Sequence, residues 1–559
     1  MISIKGLDKV QNAMHAREAN LMQMRLRELE VEWSDVFDGS REEMLENEVL
    51  DVLKPDNENL EKLNIVSYGG IEFPNWVGDS LFDRLIHISI RGCKKCTSLP
   101  LLGQLPSLME LFVQGMDGVK VIELQRLAFP SLEILSFEDM QGWEVWSYNG
   151  GVVDPVCPCL QTLCIRGCPK LVEISLEELP SLRDLEIDGC SEGVLRRLVQ
   201  VVSSVTKLKI VSISGLTDQL WGGVMKHLGV VEEVIIKSCN EIRYVWESYT
   251  EACKVLVNLR KLEIRRCNNL VRLGEKEEDN CGSKLTSLTM LGISSCNSME
   301  HCNCSNSIKS LSILWCSSIT SISFPTGGKK QLKSFFISDC KKLLAKDLGG
   351  GRSEETINAS MCMLDIVQIK GWSNLKSVIQ LSYFIHLKKL EIRNCPSMES
   401  FPDYDFPNLT SLTHLEIVKC PSMDTSFPRG LWPPNLCQLG IGGLKKPMSE
   451  WGPQNFPTSL VSLCLVSEDV TSFSELSHLL PSSLTSLHIE EFEKLESVSM
   501  GLQHLTSLQH LGFIDCPKIK HLPQTLLPSL LSLWIADCPN LEERCSRRTR
   551  GYYHNYIPT

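Results

Sequence analysis

Apolar residues recur along the chain in a nine-residue frame, Leu-x-x-Leu-x-Ile-x-x-Cys, in which x is any residue. The frame is clearest in LRKLEIRRC at residues 259–267 and in LKKLEIRNC at residues 387–395. Alternate side chains of a strand point to opposite faces, so the fourth and sixth positions share one face and the third, fifth and seventh share the other. The pattern predicts a short strand with one buried and one solvent-facing side, followed by a turn.

The frame occurs 21 times when Val, Ile or Phe is accepted at the apolar positions and other residues at the ninth. The units begin at residues 26, 60, 85, 108, 132, 160, 182, 205, 231, 259, 288, 308, 332, 364, 387, 412, 436, 460, 484, 508 and 530. Their mean step of about 25 residues is typical of leucine-rich repeats, whose single units cannot bury an apolar face alone and therefore stack. The sequence predicts an α/β solenoid, a leucine-rich-repeat horseshoe with a parallel β-sheet on the concave face and irregular loops and short helices on the convex face.

The repeat pattern divides the chain into three segments. We expect residues 1–59 to be an N-terminal repeat portion with inserted helices, residues 60–541 to be the leucine-rich repeats, and residues 542–559 to be a C-terminal tail or cap. Ile2 and Ile4 match the fourth and sixth frame positions of a unit whose first residue would precede residue 1. The chain is therefore expected to begin inside a repeat, with an edge strand at this end.

Two helices are predicted in the N-terminal segment. Apolar residues at helical spacing predict one helix over residues 9–24. Ser40 and Glu43 have the spacing of a capping box, and apolar residues then recur at helical spacing until Pro55. The second helix is therefore expected to begin at Ser40 and to end before Pro55, because proline cannot continue a helix.

Cysteine use follows the frame. Of the 24 cysteines, 12 occupy the ninth position, where a free thiol is a small buried filler with a weak donor toward turn carbonyls. They are Cys93, Cys168, Cys190, Cys239, Cys267, Cys296, Cys316, Cys340, Cys395, Cys420, Cys516 and Cys538. We expect these thiols to be reduced and slow to react, and Cys302, Cys304 and Cys545, which lie outside the frame, to react sooner.

Charge and hydropathy exclude several classes of partner. The net charge is -12, and the first 60 residues hold 14 Asp and Glu against 7 Lys and Arg, so the rest of the chain is close to balanced. No basic stripe suited to nucleic acid occurs. The N-terminus lacks the layout of a signal peptide, and no run of 18 apolar residues predicts a membrane span. These features favour a soluble, cytoplasmic protein.

Motifs for catalysis and metal binding are missing from the sequence. It has no G-x-x-x-x-G-K-[ST] loop, no G-x-S-x-G elbow and no H-E-x-x-H. Two local clusters, one from Cys157 to Cys168 and one from Cys296 to Cys304, lack the paired C-x2-4-C spacing of zinc sites. The sequence therefore predicts no enzyme activity, no cofactor and no metal.

Several segments resemble a known family. They are GLDKVQNAMHAREANLMQMRLRELEVEW, VLDVLKPDNENLEKLNIVSYGGIEFPNWV, GCKKCTSLPLLGQLPSLMEL and the closing CPNLEERC. The chain resembles the leucine-rich-repeat region of plant coiled-coil-type nucleotide-binding leucine-rich-repeat (NLR) disease-resistance proteins. The resemblance covers essentially the whole chain and is most specific in its first 120 residues. The family's coiled-coil and nucleotide-binding domains would precede residue 1.

The resemblance implies part of an intracellular immune receptor that recognises pathogen effectors, or host proteins that effectors modify, and that contacts a nucleotide-binding domain upstream. One alternative is an extracellular leucine-rich-repeat receptor or inhibitor-type binding protein, for which a signal peptide, paired capping cysteines and L-x-G-x-I-P repeats would be expected. A second alternative is an enzyme with a solenoid appendage.

Charged and aromatic residues at the solvent-facing positions are the candidate partner-binding residues. They are Lys261, Glu263 and Arg265; Lys389, Glu391 and Arg393, five repeats further on; and Phe112, Phe336 and Trp534 at fifth positions. Aromatic residues and arginine tend to dominate binding energy. The charges could equally be an ordinary solvated face, since exposed ion pairs contribute little to stability. Charge reversal at Arg265 or Arg393 is expected to leave the fold intact.

Overall fold

The structure is a computed structural model of the chain. It describes residues 1–37, 41–125, 129–149, 157–176, 178–247, 249–274, 285–324, 331–343, 363–377, 384–498, 501–522 and 530–541. The chain forms two compact units, Met1–Leu288 (unit 1) and Thr289–Thr559 (unit 2).

Unit 1 is built on a parallel sheet in which consecutive repeats are neighbours. Its described strands are β1 (Ile2–Lys5), β2 (Glu28–Glu32), β3 (Lys62–Val66), β4 (His87–Arg91), β5 (Glu110–Gln114), β6 (Val121–Gln125), β7 (Ile134–Glu138), β8 (Val145–Asn149), β9 (Thr162–Arg166), β10 (Glu173–Ser175), β11 (Asp184–Asp188), β12 (Lys207–Val211), β13 (Glu233–Lys237), β14 (Tyr244–Trp246), β15 (Lys261–Arg265) and β16 (Arg272–Gly274). The main sheet pairs β1–β5, β7, β9, β11–β13 and β15 in that order. The remaining strands form separate parallel sheets, β6-β8-β10 and β14-β16.

Unit 2 repeats the same arrangement. Its described strands are β17 (Met290–Ser294), β18 (His301–Asn303), β19 (Ser310–Leu314), β20 (Ser321–Ser323), β21 (Ser334–Ser338), β22 (Ile366–Lys370), β23 (Lys389–Arg393), β24 (His414–Val418), β25 (Gln438–Gly442), β26 (Ser462–Val466), β27 (Ser486–Glu490), β28 (His510–Ile514) and β29 (Ser532–Ala536). The main sheet pairs β17, β19 and β21–β29 in chain order, and β18 pairs with β20.

The register of both main sheets follows the sequence frame. In each pairing, the fourth position of one repeat lies opposite the fourth position of the next, as Val234 lies opposite Leu262, and the sixth lies opposite the sixth, as Ile236 lies opposite Ile264. These side chains are buried, while the third, fifth and seventh positions of β15 are half-buried or exposed. The predicted leucine-rich-repeat solenoid with a parallel sheet is confirmed.

The turn after each strand depends on a left-handed residue at the eighth frame position. In 20 of the 21 units this residue has φ between +49° and +68°. Glycine adopts this conformation without strain, and Asn and Asp tolerate it better than other side chains. Sixteen of the 20 residues are Gly, Ser, Asp or Asn, and the exceptions are Arg266, Trp315, Lys419 and Glu491.

The seventh-position carbonyl joins three parts of the solenoid. The carbonyl oxygen of Arg265 extends the hydrogen bonding between the strands by accepting the N–H of Ser238, the left-handed residue of the preceding repeat, at 2.9 Å. The same oxygen accepts the thiol of Cys267 at 3.6 Å. All 12 frame cysteines are buried, and each donates to the carbonyl two residues earlier at 3.3–3.6 Å. The predicted role of the ninth-position thiol is therefore confirmed.

Helices fill the connections between repeats. In the described part of unit 1 the α-helices are α1 (Ala13–Arg17), α2 (Glu43–Val52), α3 (Glu192–Val201), α4 (Asp218–Met225) and α5 (Tyr249–Val255). Helix α3 packs against α4 and β10, while α4 and α5 pack against β14. Short 3-10 segments are Leu7–Lys9, Leu21–Gln23, Asn75–Gly78, Leu102–Gln104, Asp403–Asn408, Met448–Glu450 and Phe473–Leu479.

The prediction of one helix over residues 9–24 is wrong. Only α1 is α-helical there, between two 3-10 turns. The side chain of Asn12 caps α1 by accepting the N–H of Met14 at 2.9 Å. Asn20 adopts a left-handed conformation with φ 48°, and such a residue ends a helix.

The start of α2 also differs from the prediction. Ser40 lies outside the described residues, and the residue before the helix is Glu42, whose side chain makes no capping bond. The helix ends at Val52, before Pro55, as predicted. Glu46 is buried on the inward side of α2, where a bidentate pair with Arg41 at 2.6 and 2.7 Å and the N–H of Gly69 at 2.6 Å satisfy its carboxylate.

The expectation that Cys302 and Cys304 react early is wrong. Both residues are buried. Cys302 lies on β18, which pairs with β20 outside the main sheet. The two sulfur atoms are 3.8 Å apart. This contact and burial raise the pKa of the Cys302 thiol. Cys545 lies outside the described residues.

Gly189→Ala tests the cost of the left-handed turn. A Cβ at Gly189 would meet no atom closer than 3.5 Å, so the substitution adds conformational strain without a clash. We expect a loss of about 1 kcal/mol in the free energy of unfolding. Gly223→Ala in α4, where nothing lies within 4 Å of the added carbon, should instead stabilise by about 0.5 kcal/mol. Urea midpoints that move in the same direction would contradict the role of the eighth position.

Native-state thiol labelling tests the burial of the 12 cysteines at the ninth frame position, called here the cysteine ladder. Burial raises the pKa of Cys267 and Cys340 to about 12, whereas Cys159 is exposed. Because the thiolate is the reactive form, iodoacetamide should label Cys159 well before either frame cysteine. Peptide mass spectrometry would follow each site, with urea-unfolded protein as the fully reactive control. Equal native rates at Cys159 and Cys267 would contradict the burial of the ladder.

Candidate functional site

The side of each main sheet that carries the third, fifth and seventh frame positions is called here the open face. All nine predicted partner-binding residues lie on the open face of a described strand. Strand β15 carries the first charged triplet and β5 carries Phe112, both in unit 1. Strand β23 carries the second triplet, β21 carries Phe336 and β29 carries Trp534, all in unit 2.

The first triplet forms a chain of ion pairs. Lys261 Nζ lies 2.9 Å from Glu233 on the neighbouring strand and 3.0 Å from Glu263. Arg265 Nη2 donates to the other carboxylate oxygen of Glu263 at 2.5 Å. Burial raises the pKa of Glu263, but its contacts with Lys261 and Arg265 outweigh this effect and lower it below the usual range. The Arg265 side chain stays 55% exposed.

The second triplet has the same sequence, Lys-x-Glu-x-Arg, but different partners. Lys389 Nζ lies 2.8 Å from Glu391, which also pairs with His414 Nε2 at 3.2 Å. Burial raises the pKa of Glu391, but hydrogen bonds from His414 and Lys389 outweigh it and lower the pKa to about 2. Arg393 does not pair with the glutamate of its own strand and instead reaches Glu416 on β24.

Glycine on the next strand explains this difference. Gly440 lies opposite Glu416, and a Cβ there would come within 2.7 Å of Glu416 Cγ, so the missing side chain makes room for the carboxylate. The Glu416 side chain is only 6% exposed. Burial raises its pKa and the charge of Arg393 opposes that rise. Charge reversal at Arg393 would therefore leave a buried carboxylate facing a second negative charge, and it is not the neutral change that was expected.

Glu391, His414 and Glu416 have the donor types of a metal site. One ligand atom from each lies within 4.8 Å of the other two. Lys389 and Arg393 already contact the two carboxylates and balance their charge. The cluster therefore needs no cation to be electrostatically stable.

A further charged network in unit 1 was missed by the sequence analysis. Arg166 binds Glu186 through two nitrogens at 2.8 and 2.9 Å and also contacts Glu138 at 2.7 Å, while Lys209 lies 2.9 Å from Glu186. These residues occupy fifth and seventh positions of adjacent repeats, so aligning those columns of the frame would have found them. The network borders a cavity of about 500 Å³ lined by Thr162, Cys164, Asp184, Leu185, Glu186, Lys207, Lys209, Ile235, Lys237 and Arg265.

The three predicted aromatic residues differ in surroundings. Phe112 is half-buried against His87, with ring centroids 5.4 Å apart. Phe336 is half-buried between Ser312 and Gln368 of the neighbouring strands. Trp534 is half-buried opposite Gly512, on the last described strand. Each can offer part of a ring to a partner.

Across the described residues, no helix has both the length and the apolar character that a membrane crossing requires.

Comparisons with known proteins agree with the repeat architecture. Residues 1–116 match the family model described as R13L1/DRL21 LRRs. The chain is 32% identical over 289 residues to disease resistance RPP13-like protein 1 of Arabidopsis thaliana, a match that covers 48% of this chain and 27% of that protein. It is also 32% identical over 218 residues to disease resistance protein RGA4 of Solanum bulbocastanum, covering 37% of this chain and 21% of that protein. The chain thus spans about a quarter of the length of these relatives.

One solved structure, a leucine-rich-repeat protein of Leptospira interrogans, aligns with 95% of this chain at 16% sequence identity and a TM-score of 0.33. A score this low adds nothing to the repeat geometry described above.

The two charged triplets offer a matched test of their surroundings. Arg265→Ala removes an exposed pair and should cost less than about 1 kcal/mol. Arg393→Ala leaves the buried Glu416 without its partner and should cost about 2 kcal/mol or more, because an uncompensated buried charge is strongly destabilising. Urea unfolding measures both. Glu416→Gln should recover part of the loss in the Arg393→Ala background. Equal losses at Arg265 and Arg393 would contradict the asymmetry.

Proposed function

We propose that this chain, the leucine-rich-repeat region of a plant NLR-type disease-resistance protein, is a non-enzymatic recognition module of an innate-immune receptor that senses pathogen effectors or host proteins that effectors modify. Leucine-rich-repeat regions are typically protein-interaction modules without catalytic activity of their own. In this proposal, the open face is the surface that recognises the effector.

The observation that carries the proposal is the state of the open-face arginines. Glu263 and Glu416 hold Arg265 and Arg393 in place, and both arginine side chains remain about half exposed, at 55% and 45%. Binding then immobilises few additional side-chain rotamers, so less entropy opposes association. An arginine fixed in this way is suited to charge-paired contacts with a protein partner.

The cysteines favour a cytoplasmic module over the extracellular alternative. Within the described residues, all 21 cysteines are free thiols. Extracellular leucine-rich-repeat proteins are exposed to an oxidising environment, in which disulfides form and persist. A ladder of 12 buried thiols that bind carbonyl oxygens is compatible with a reducing compartment.

The relatives also suggest a second partner. They are much longer than this chain, which spans about a quarter of their length. We therefore propose that, in a full-length receptor, the repeats also contact a nucleotide-binding domain encoded upstream. No nucleic acid is expected to bind, since the open face carries both charge signs without a basic stripe.

Arg265→Glu tests recognition. In a full-length relative carrying these repeats, the change should weaken partner capture about tenfold, as expected for loss of a desolvated charge contact, and reduce the cell-death response. Pull-down with the recognised effector and a leaf cell-death assay measure the two effects. Arg196→Glu, an exposed arginine on α3, is the matched control and should change neither.

Two further variants separate the surfaces. Phe336→Ala should also weaken capture, while circular dichroism confirms that the fold is kept. If Arg265→Glu and Phe336→Ala both leave recognition unchanged, whereas Arg196→Glu abolishes it, the open face is not the recognition surface.

A further inference from the structure

The first three strands of the main sheet in unit 2 carry no charge on their open face. Their third, fifth and seventh positions form what is called here the neutral face: Met290, Gly292, Ser294, Ser310, Ser312, Leu314, Ser334, Phe336 and Ser338. In unit 1, by contrast, each of the 11 described main-sheet strands carries at least one Asp, Glu, Lys or Arg at these positions. The charges that border the neutral face in the frame are Lys309 and Lys333, exposed at the second positions of two of its repeats, Asp339, at the eighth position of its last repeat, and Lys370 on β22.

Hydroxyl groups line the neutral face. The Ser338 hydroxyl donates to Asp339 Oδ2 at 2.5 Å. The hydroxyls of the other four serines make no hydrogen bond within the described part of the chain. Each such hydroxyl can donate once and accept twice. The surface can therefore satisfy the main-chain N–H and C=O groups of a bound peptide without presenting a charge to it.

An unusual tryptophan adjoins this surface. Trp315, at the eighth position directly after β19, is 55% exposed and has φ +54°. A bulky side chain is strained in this conformation, and the equivalent residues of the neighbouring repeats are Ser295 and Asp339. The main-chain N–H of Trp315 donates to the carbonyl oxygen of Ser338 at 2.7 Å, and this bond fixes the tryptophan beside the neutral face. Backbone strain that holds an aromatic ring in solvent is a reason to look for a function.

Phe336 supplies a second aromatic surface. Its register partner on β19 is Ser312, and the equivalent position on β17 is Gly292, so small residues lie on one side of the ring. Trp315 directly follows β19, and Phe336 lies on the adjacent strand β21, at the usual strand spacing of about 4.8 Å. Two apolar side chains of one bound segment can therefore contact the two rings.

We propose that the neutral face, with Trp315, binds an uncharged, apolar peptide segment of a partner protein. Apolar side chains of the segment pack on Trp315 and Phe336, and its main chain hydrogen-bonds to the serine hydroxyls. The third, fifth and seventh positions offer no opposite charge to a charged side chain that lies over them, so its loss of water is not compensated there and these positions select against it. This proposal rests on the proposed recognition function and names the chemistry of the segment that is recognised.

Selection from a random peptide library tests the proposal. The purified full chain is immobilised and panned with phage-displayed random 12-residue peptides. Bound sequences should be enriched in Trp, Phe and Leu and depleted of Asp, Glu, Lys and Arg. Enrichment of charged peptides whose capture depends on Trp315 would overturn the proposal.

Variants locate the binding. Trp315→Gly should reduce capture of a selected peptide about tenfold or more, as for an aromatic hot spot, and it should not unfold the protein, because glycine adopts the left-handed conformation freely. Asp515→Gly is the matched control, since Asp515 is an exposed eighth-position residue with φ 51° in the same unit. It should leave capture unchanged. Phe336→Ser should weaken capture independently of the backbone change.

The outcomes distinguish the two proposals. If Arg265→Glu disrupts effector recognition while Trp315→Gly and Phe336→Ser leave peptide capture unchanged, the recognition function stands and the neutral face is not its apolar site. If peptides bind through Trp315 but no open-face variant affects effector recognition, the neutral face binds apolar segments for another purpose and the proposed function fails.

Discussion

The fold depends on the carbonyl oxygen at the seventh frame position. It accepts one hydrogen bond from the left-handed residue of the preceding repeat and, where the ninth residue is cysteine, a second from that thiol, as Leu314 does from Ser295 and Cys316. A carbonyl oxygen has two lone pairs, so both are used. Where both bonds form, the strand, its turn and its neighbour are thereby fixed together. A change of register between neighbouring strands would break the bond from the preceding repeat.

The sequence predicts this architecture well because the constraint acts on the frame itself. Burial at the fourth and sixth positions and a small or flexible residue at the eighth appear as a period that stacking neighbours reinforce. The helices between strands were predicted less accurately. Residues 9–24 have helical spacing, yet Asn20 turns left-handed and ends α1 early. Cys302 was expected to be reactive because it lies outside the frame, but β18 and β20 form their own buried pairing.

The candidate site shows a different limit. KLEIRRC and KLEIRNC are nearly identical, and the sequence gives no reason to separate them. Their difference comes from the following repeat: Gly440 leaves room for Glu416, and Glu416 draws Arg393 away from the glutamate of its own strand. Contacts between columns of adjacent repeats decide whether a charge is exposed or holds a buried partner. The repeating sequence pattern alone does not reveal these contacts between adjacent repeats.

Structure and recognition are therefore separable in this solenoid only in part. The fourth, sixth, eighth and ninth positions hold the repeats together, and most third, fifth and seventh positions are free to vary. Two places join the roles. Arg393 belongs to the open face but stabilises the buried Glu416. Trp315 belongs to the turn but exposes its ring at the cost of a strained backbone. Replacing Arg393 loses an interaction that the fold uses, whereas replacing Trp315 with glycine relieves strain that the fold does not need. Stability therefore offers no explanation for the exposed ring of Trp315, whereas the proposed peptide binding does.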